Sequence, residues 1–385
     1  MKDFIYLDNA ATTRVRPEVL EVMLPYFCED YGNPAAIYAP GGSAAKAVGL
    51  ARRQVAELIG ALREEIYFTA GGSESDNWAI RGVYEKLSEK GNHIITTKVE
   101  HHAVLNTCKY LEKNGAKVAY LSVDEYGMIS LEELERAITP ETILISVMAA
   151  NNEVGTIMPL ERIGEIAKAH NVLFHTDAVQ AYGHIPLDVE RMHIDLLSAS
   201  GHKLGGPKGI GFLYVRKGLK LPPLIYGGGQ ERGRRGGTLN VPGIVGMGQA
   251  AVMAMAELKV QGRQVAALRD YFIQCIQKEI PEAVVNGTLT DRLPGNVNIT
   301  IPRVEGESVL ILLDQRGICA SSGSACSMSQ DGPSHVLLAM GRSEEQARGT
   351  LRFSLSAENT EEEIAKAVTV LAEVVSHLHE ILLKK

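Results

Sequence analysis

Short apolar runs recur along this chain between stretches with a single apolar face, and that alternation restricts it to a small set of folds. Glu65-Ile66-Tyr67-Phe68-Thr69, His93-Ile94-Ile95-Thr96-Thr97, Thr142-Ile143-Leu144-Ile145-Ser146-Val147, Asn171-Val172-Leu173-Phe174-His175 and Asp195-Leu196-Leu197-Ser198 each read as a buried strand. Amphipathic segments between them predict βαβ units around a mostly parallel sheet, in which ligands collect beyond the carboxyl ends of the strands. Ile210-Gly211-Phe212-Leu213-Tyr214-Val215 follows too soon for a helical crossover, so it is expected to run antiparallel and make the sheet mixed. From about Gly243 an Ala/Met/Leu-rich stretch predicts a helix running with breaks towards Pro281, before Asn296-Val297-Asn298-Ile299-Thr300-Ile301 opens a smaller α+β unit. A last helix is expected from Thr360 to Lys385, with glutamates in its first turn and lysines at its end. The expected organisation is a large domain over 16–257 and a small one built from 1–15 and 258–385.

Charge and cysteine usage narrow the partners. The formal charge of -7 argues against nucleic-acid or anionic-membrane binding, which need a positive field. No uninterrupted apolar stretch suits a secretory leader or a membrane span, and an odd five cysteines suit a reducing compartment; the expected location is the cytoplasm.

Lys203, in Ser200-Gly201-His202-Lys203, and Asp177, in Asp177-Ala178-Val179-Gln180, fall at two successive strand ends. A lysine amine to hold an aldehyde and a carboxylate to keep a pyridine nitrogen protonated are what pyridoxal phosphate requires. Either residue alone would pass for a loop lysine or a helix cap. Gly72 and Ser73 sit at a strand-to-helix turn, where backbone N–H groups and a helix N-terminus favour phosphate, although such a turn is often only a cap. His101 stands after the next strand, positioned to stack on a planar ring and move protons. Asn152 and Gln180 occupy further strand ends and could each give an amide to a phenolic oxygen. Gly227 to Thr238 is glycine-rich and basic; small-anion binding is expected of it, with Thr238 as a phosphate ligand. Cys326 lies in Ser321-Ser322-Gly323-Ser324-Ala325-Cys326-Ser327, whose small polar residues predict a mobile exposed loop and make it a better nucleophile than Cys319. No ligand-spaced partner accompanies these two thiols, so no metal is expected. Arg352 within Leu351-Arg352-Phe353-Ser354 is costly in a strand unless it meets an anion, either a substrate carboxylate or a structural partner.

Asp8-Asn9-Ala10-Ala11-Thr12-Thr13, Glu74-Ser75-Asp76-Asn77, Glu100-His101, Asn151-Asn152-Glu153, Asp177 to Gln180, Ser200 to Lys203 and Ser321 to Cys326, in that order, resemble the NifS/IscS-like cysteine desulfurases, and the Cys326 loop resembles that of their first group. The likeness runs nearly the whole chain. It implies a fold-type I pyridoxal phosphate transferase of aminotransferase class V, acting as a homodimer. Lys203 would be the cofactor-binding lysine, Asp177 the partner of the ring nitrogen, and His101 the stacking residue. Gln180 and Asn152 would contact the ring oxygen. Gly72, Ser73, Ser200 and His202 would hold the phosphate, joined by Thr238 of the other subunit, while Asn33 and Arg352 would bind the substrate carboxylate. The implied reaction turns L-cysteine into L-alanine and a Cys326 persulfide, destined for a sulfur-acceptor protein of iron–sulfur cluster assembly or thiolation. A selenocysteine lyase or aminotransferase of the same family is the alternative, and a non-catalytic scaffold the alternative from another class. Ala35-Ala36-Ile37-Tyr38 departs from the Ser-Ser-x-His of many members, as does Gly206, where a bulkier residue is common; substrate positioning is where a difference is expected.

Overall fold

The computed structural model describes residues 4–322 and 332–383. Twelve strands lie in these segments: β1 (Ile5–Tyr6), β2 (Ile66–Thr69), β3 (His93–Thr97), β4 (Lys117–Leu121), β5 (Thr142–Ser146), β6 (Leu173–Asp177), β7 (Leu196–Ser200), β8 (Gly211–Val215), β9 (Val284–Val285), β10 (Asn296–Thr300), β11 (Ile318–Cys319) and β12 (Thr350–Ser354). Seven described helices have ten residues or more: α1 (Ala39–Glu57), α2 (Gly72–Leu87), α3 (His102–Glu112), α4 (Leu160–Ala169), α5 (Val241–Glu279), α6 (Gly306–Gln315) and α7 (Glu361–Leu383).

The main sheet has seven strands in the order β2-β8-β7-β6-β5-β3-β4. Strand β8 runs antiparallel to both neighbours, as its short connection requires, and the other pairings are parallel. Helices cover both faces of this sheet, so strands such as Thr142–Ser146 and Gly211–Val215 are buried at every position and read as unbroken apolar runs. The edge strand β4 is different. It is only half-buried and starts on an exposed lysine, and the sequence reading passed it over because it lacks such a run.

A second core gathers Ile5 and Leu7 with Phe272, Ile276, Val297, Leu351, Phe353 and Ile364. Its frame is the antiparallel sheet β12-β10-β9 together with the parallel pair β1-β11. The helix at His335–Ala339 lies late in the chain, yet Val336 and Leu337 pack into the first core with Leu293.

Helix α5 runs unbroken for 39 residues, about 58 Å at 1.5 Å per residue. The expected breaks are absent because its glycines serve close packing: a Cβ on Gly246 would lie 2.5 Å from Met23 Sδ, and one on Gly248 would lie 2.7 Å from Ala51 Cα of α1. This helix is long and apolar enough by composition to cross a membrane, which the sequence reading did not anticipate. Its apolar residues instead serve both cores, Val241 to Ala251 in the first and Val265 to Ile276 in the second.

Candidate active site

The carboxyl ends of β2, β3, β5, β6 and β7 open on one side of the main sheet, and the chain leaves each with a residue singled out from the sequence. Helix α2 starts at Gly72 straight after β2, and His101 caps α3 after β3, its Nδ1 accepting the Ala103 N–H at 3.1 Å. A His101 ring so held carries its exchangeable proton on Nε2 when neutral. Asn152 follows β5, Asp177 ends β6, and Lys203 closes the single turn after β7.

The first turn of α2 makes one wall of a cleft of about 410 Å³ lined by Gly71, Gly72, Ser73, Glu74, Ser200 and His202, with Thr12 and Lys208 at its sides. Backbone N–H groups and the helix dipole favour an anion there. The imidazole of His202 is pushed down to about 4, first by burial and then by the Lys203 and Lys208 charges, so at neutral pH it is an uncharged ring, with its Nδ1 3.1 Å from Thr12 Oγ1.

Lys203 Nζ donates to the carbonyls of Ala10 at 2.6 Å and Ala11 at 2.8 Å, and Gln180 Nε2 donates to Ala10 O at 3.0 Å. The N-terminal Asp8–Thr13 segment therefore lies against Lys203 and Gln180, and its Thr12 lines the cleft. Arg352 holds that segment from β12: Nη2 meets Asp8 Oδ1 at 2.9 Å, and Nη1 meets Asn152 O at 3.0 Å. A structural partner thus exists for this 3% exposed arginine, one of the two readings left open by the sequence.

Behind the cleft, single ligand atoms of Asp76, His101 and Asp177 lie within 4.8 Å of one another. Burial raises the proton affinity of both carboxyls. Asp76 goes well above the usual range, through burial and then the Asp177 charge, whereas His101 and Lys203 pull Asp177 back, as does the Val179 N–H donated to its Oδ1 at 2.9 Å. Of the two, Asp76 is the one whose surroundings favour the proton more strongly, and Asp177 the one with cationic neighbours. His175 supports Asp76 from 3.7 Å and is neutral, because burial pushes it down to about 3; its ring nitrogens contact Ser146 Oγ and Ser198 Oγ. By distance the three groups could hold a cation.

Gly72, Ser73, Ser200 and His202 line the cleft, and beside it the strand ends carry a connected group: His101 next to Asp177, Lys203 and Gln180 on Ala10 O, and Arg352 on Asn152 O. Two expected residues stand outside this group in this single chain. Asn33 is exposed, with Oδ1 accepting the N–H of Ala35 in its own turn, and Thr238 is exposed and absent from the cleft lining. Cys326 lies outside the described residues. In the basic Gly227–Thr238 segment Arg235 pairs with Glu74, and Arg232 and Arg234 lie over the ring of Tyr67. Sequence reasoning quoted Asp76 and Asp8 in motifs without giving them a task, and the only signal for either was a carboxylate next to a strand end.

Comparison with known proteins agrees with this geometry. The family model described as aminotransferase class-V matches residues 5–366. The cysteine desulfurase IscS of Methanosarcina thermophila is 54% identical over 374 residues, covering 97% of this chain and 92% of that protein. IscS of Clostridium botulinum (strain Hall) is 51% identical over 382 residues, 99% and 96% of the two chains. Among solved structures, a NifS-like protein superposes with a TM-score of 0.92 at 41% identity, over 97% of this chain and all of that one. SspA in complex with cysteine superposes with a TM-score of 0.82 at 41% identity, covering 92% and 100%. With such identity sustained from end to end, and with the strand-end residues of the family gathered at and beside one cleft, the chain belongs to the class-V aminotransferase family and, within it, to the NifS/IscS-type cysteine desulfurases.

Proposed function

We propose that this chain converts L-cysteine to L-alanine and leaves the sulfur on Cys326 as a persulfide, using pyridoxal 5'-phosphate. The observation that carries the reading is the pairing of Lys203 and the buried Asp177 at adjacent strand ends, beside a helix N-terminus that favours an anion. The residues present fit that cofactor. A Cβ added to Gly71 would stand 3.8 Å from Ser200 Oγ, in the space beside the turn, and one on Gly72 would run into Val179 Cγ2 at 2.5 Å, so glycine at 72 lets the start of the helix pack against the Asp177–Gln180 turn. The buried Asp177 carboxylate suits a protonated ring nitrogen.

Bound there, pyridoxal phosphate supplies an aldehyde for the substrate amine and a ring able to take up an electron pair from its α-carbon. Gly72, Ser73, Ser200 and His202 would hold the phosphate, Asp177 the ring nitrogen, and Gln180 and Asn152 the ring oxygen, with His101 against the ring. Lys203 Nζ removes the proton from the substrate α-carbon, and His101 Nε2 exchanges a proton with the substrate sulfur. The Cys326 thiolate forms the S–S bond as the substrate C–S bond breaks; with protons returned to carbon, cysteine plus thiol gives alanine plus persulfide. Arg352 would orient the substrate carboxylate, sharing or replacing the contact that Asp8 now makes.

A second copy of the chain completes this reading. Asn33 and Thr238 lie in segments that also expose Tyr31, Ile37, Tyr38 and Tyr226, the last 75% exposed, a pattern suited to a symmetric apolar interface that carries both residues to the partner's cleft. A sulfur-acceptor protein in the cytoplasm then takes the persulfide.

The deciding experiment measures sulfide and alanine from L-cysteine with reductant, for wild type and Cys326→Ala. Equal amounts of both products, lost in the variant although its bound-cofactor absorbance persists, are expected. Undiminished turnover by the variant would refute the persulfide route.

A further inference from the structure

Among the described residues, Glu74 is the one acidic residue lining the anion cleft. It stands in the first turn of α2, where its Oε2 accepts the Ala70 N–H at 2.9 Å and so fixes the strand-to-helix turn. A carboxylate at that point also repels any anion that the turn would bind. The positive field it opposes comes from the helix end, Lys208 and the nearby Lys203, since His202 is neutral.

Arg235 closes on both Glu74 oxygens, at 2.9 and 3.1 Å, with the two side chains 20% and 14% exposed. The chain goes to some conformational cost to deliver it. Glu231 and Arg232 are consecutive non-glycine residues in the left-handed region, at φ 46° and 60°. Buried Glu231 accepts two bonds from Arg52 at 2.6 Å and the Phe68 N–H at 3.1 Å, while Arg232 donates to Glu64 O at 2.7 Å and Ile66 O at 2.5 Å. These contacts hold an otherwise glycine-rich segment in one shape, with the Arg235 guanidinium over Glu74.

We propose that Arg235 acts as a positioning residue that neutralises Glu74, so that a turn locked by a carboxylate can still receive a phosphate dianion. Arg235 does this without touching the cofactor. The inference rests on the reading that pyridoxal phosphate occupies this cleft.

The test uses the full-length chain stripped of cofactor, titrated with pyridoxal phosphate and separately with pyridoxal, which lacks the phosphate, and read by bound-cofactor absorbance. Arg235→Gln is expected to weaken pyridoxal phosphate about tenfold or more while leaving pyridoxal unchanged. Adding Glu74→Gln to that variant should restore affinity to within about threefold of wild type, because the amide oxygen still accepts from Ala70. A double variant as weak as Arg235→Gln would show that the arginine merely tethers its segment, and would overturn the inference. If Arg235 variants do not fold, Glu74→Gln alone decides: binding at least as tight as wild type supports charge neutralisation, and clearly weaker binding refutes it. Wild type that binds neither compound would sink the cofactor reading itself, an outcome distinct from the others.

Discussion

Asp76 and Asp177 are chemically identical and both are raised by burial, yet their surroundings act on them differently. His101 and Lys203 pull Asp177 back towards the anion; Asp76 has a neutral His175 beside it and the Asp177 charge nearby, which favour its neutral form. Asp76→Asn preserves that neutral state, so turnover within about threefold of wild type is expected, whereas Asp177→Asn removes a needed charge and should cost about a hundredfold or more in kcat. Steady-state alanine release by the two variants checks the contrast. Glu100 adds a pH signature: burial pushes its carboxyl up to about 8, although Thr97 and the Met148 N–H both donate to Oε1. The folded state therefore binds more protons than the unfolded one between the ordinary glutamate range and about pH 8, and stability falls as pH rises through that window, by at most about 1.4 kcal/mol per pH unit for this group. Glu100→Gln should flatten the fall, measured as unfolding free energy from pH 5.5 to 7.5; an unaltered slope would refute it. Residues at strand ends, Lys203 and Asp177 above all, could be read from sequence because the sheet pattern fixes where strand ends lie. The Glu74–Arg235 pair could not, since 161 residues separate its members and only the folded turn brings them together.

Helix α5 shows where element-level reading fails. Glycines normally weaken helices, so a stretch containing Gly243, Gly246, Gly248 and Gly262 invites the expectation of breaks. The fold gives these glycines different meanings. Gly248 abuts the backbone of α1, so Gly248→Ala should lower stability, the overpacking cost of about 1–3 kcal/mol outweighing the gain of about 1 kcal/mol that alanine brings to a helix. Gly262 has nothing within 4 Å of an added Cβ, and Gly262→Ala should raise stability by up to about 1 kcal/mol. Thermal unfolding of the two variants must move in opposite directions if packing is what placed Gly248. Strand β4 was lost for the converse reason: an edge strand half open to solvent needs no apolar run, and apolar runs were the signal being read.

At the scale of the molecule, the sheet, its antiparallel β8 and the late α+β unit were legible because layer architecture follows from the order of periodic segments. The position of His335–Ala339 in the first core was not, because only tertiary packing sends that piece of chain back across. The proposed dimer gives a test at the same scale: wild type should scatter light as twice the chain mass, and Ile37→Asp, placing a charge on a fully exposed isoleucine, should shift it towards the monomer and weaken cofactor retention. An unchanged dimer would move the interface elsewhere. The N-terminal segment beside the cleft has a further consequence, for the order in which the protein is made. Asn9 bonds to Ser354 across 345 residues of sequence, and β1 pairs with β11, so β1 finds its neighbours only after that long a stretch has been synthesised. At about 5–20 residues per second, that wait is roughly 20–70 seconds. During it the Asp8–Thr13 segment has no strand to lie against, and a finished site for the cofactor waits on the synthesis of β12.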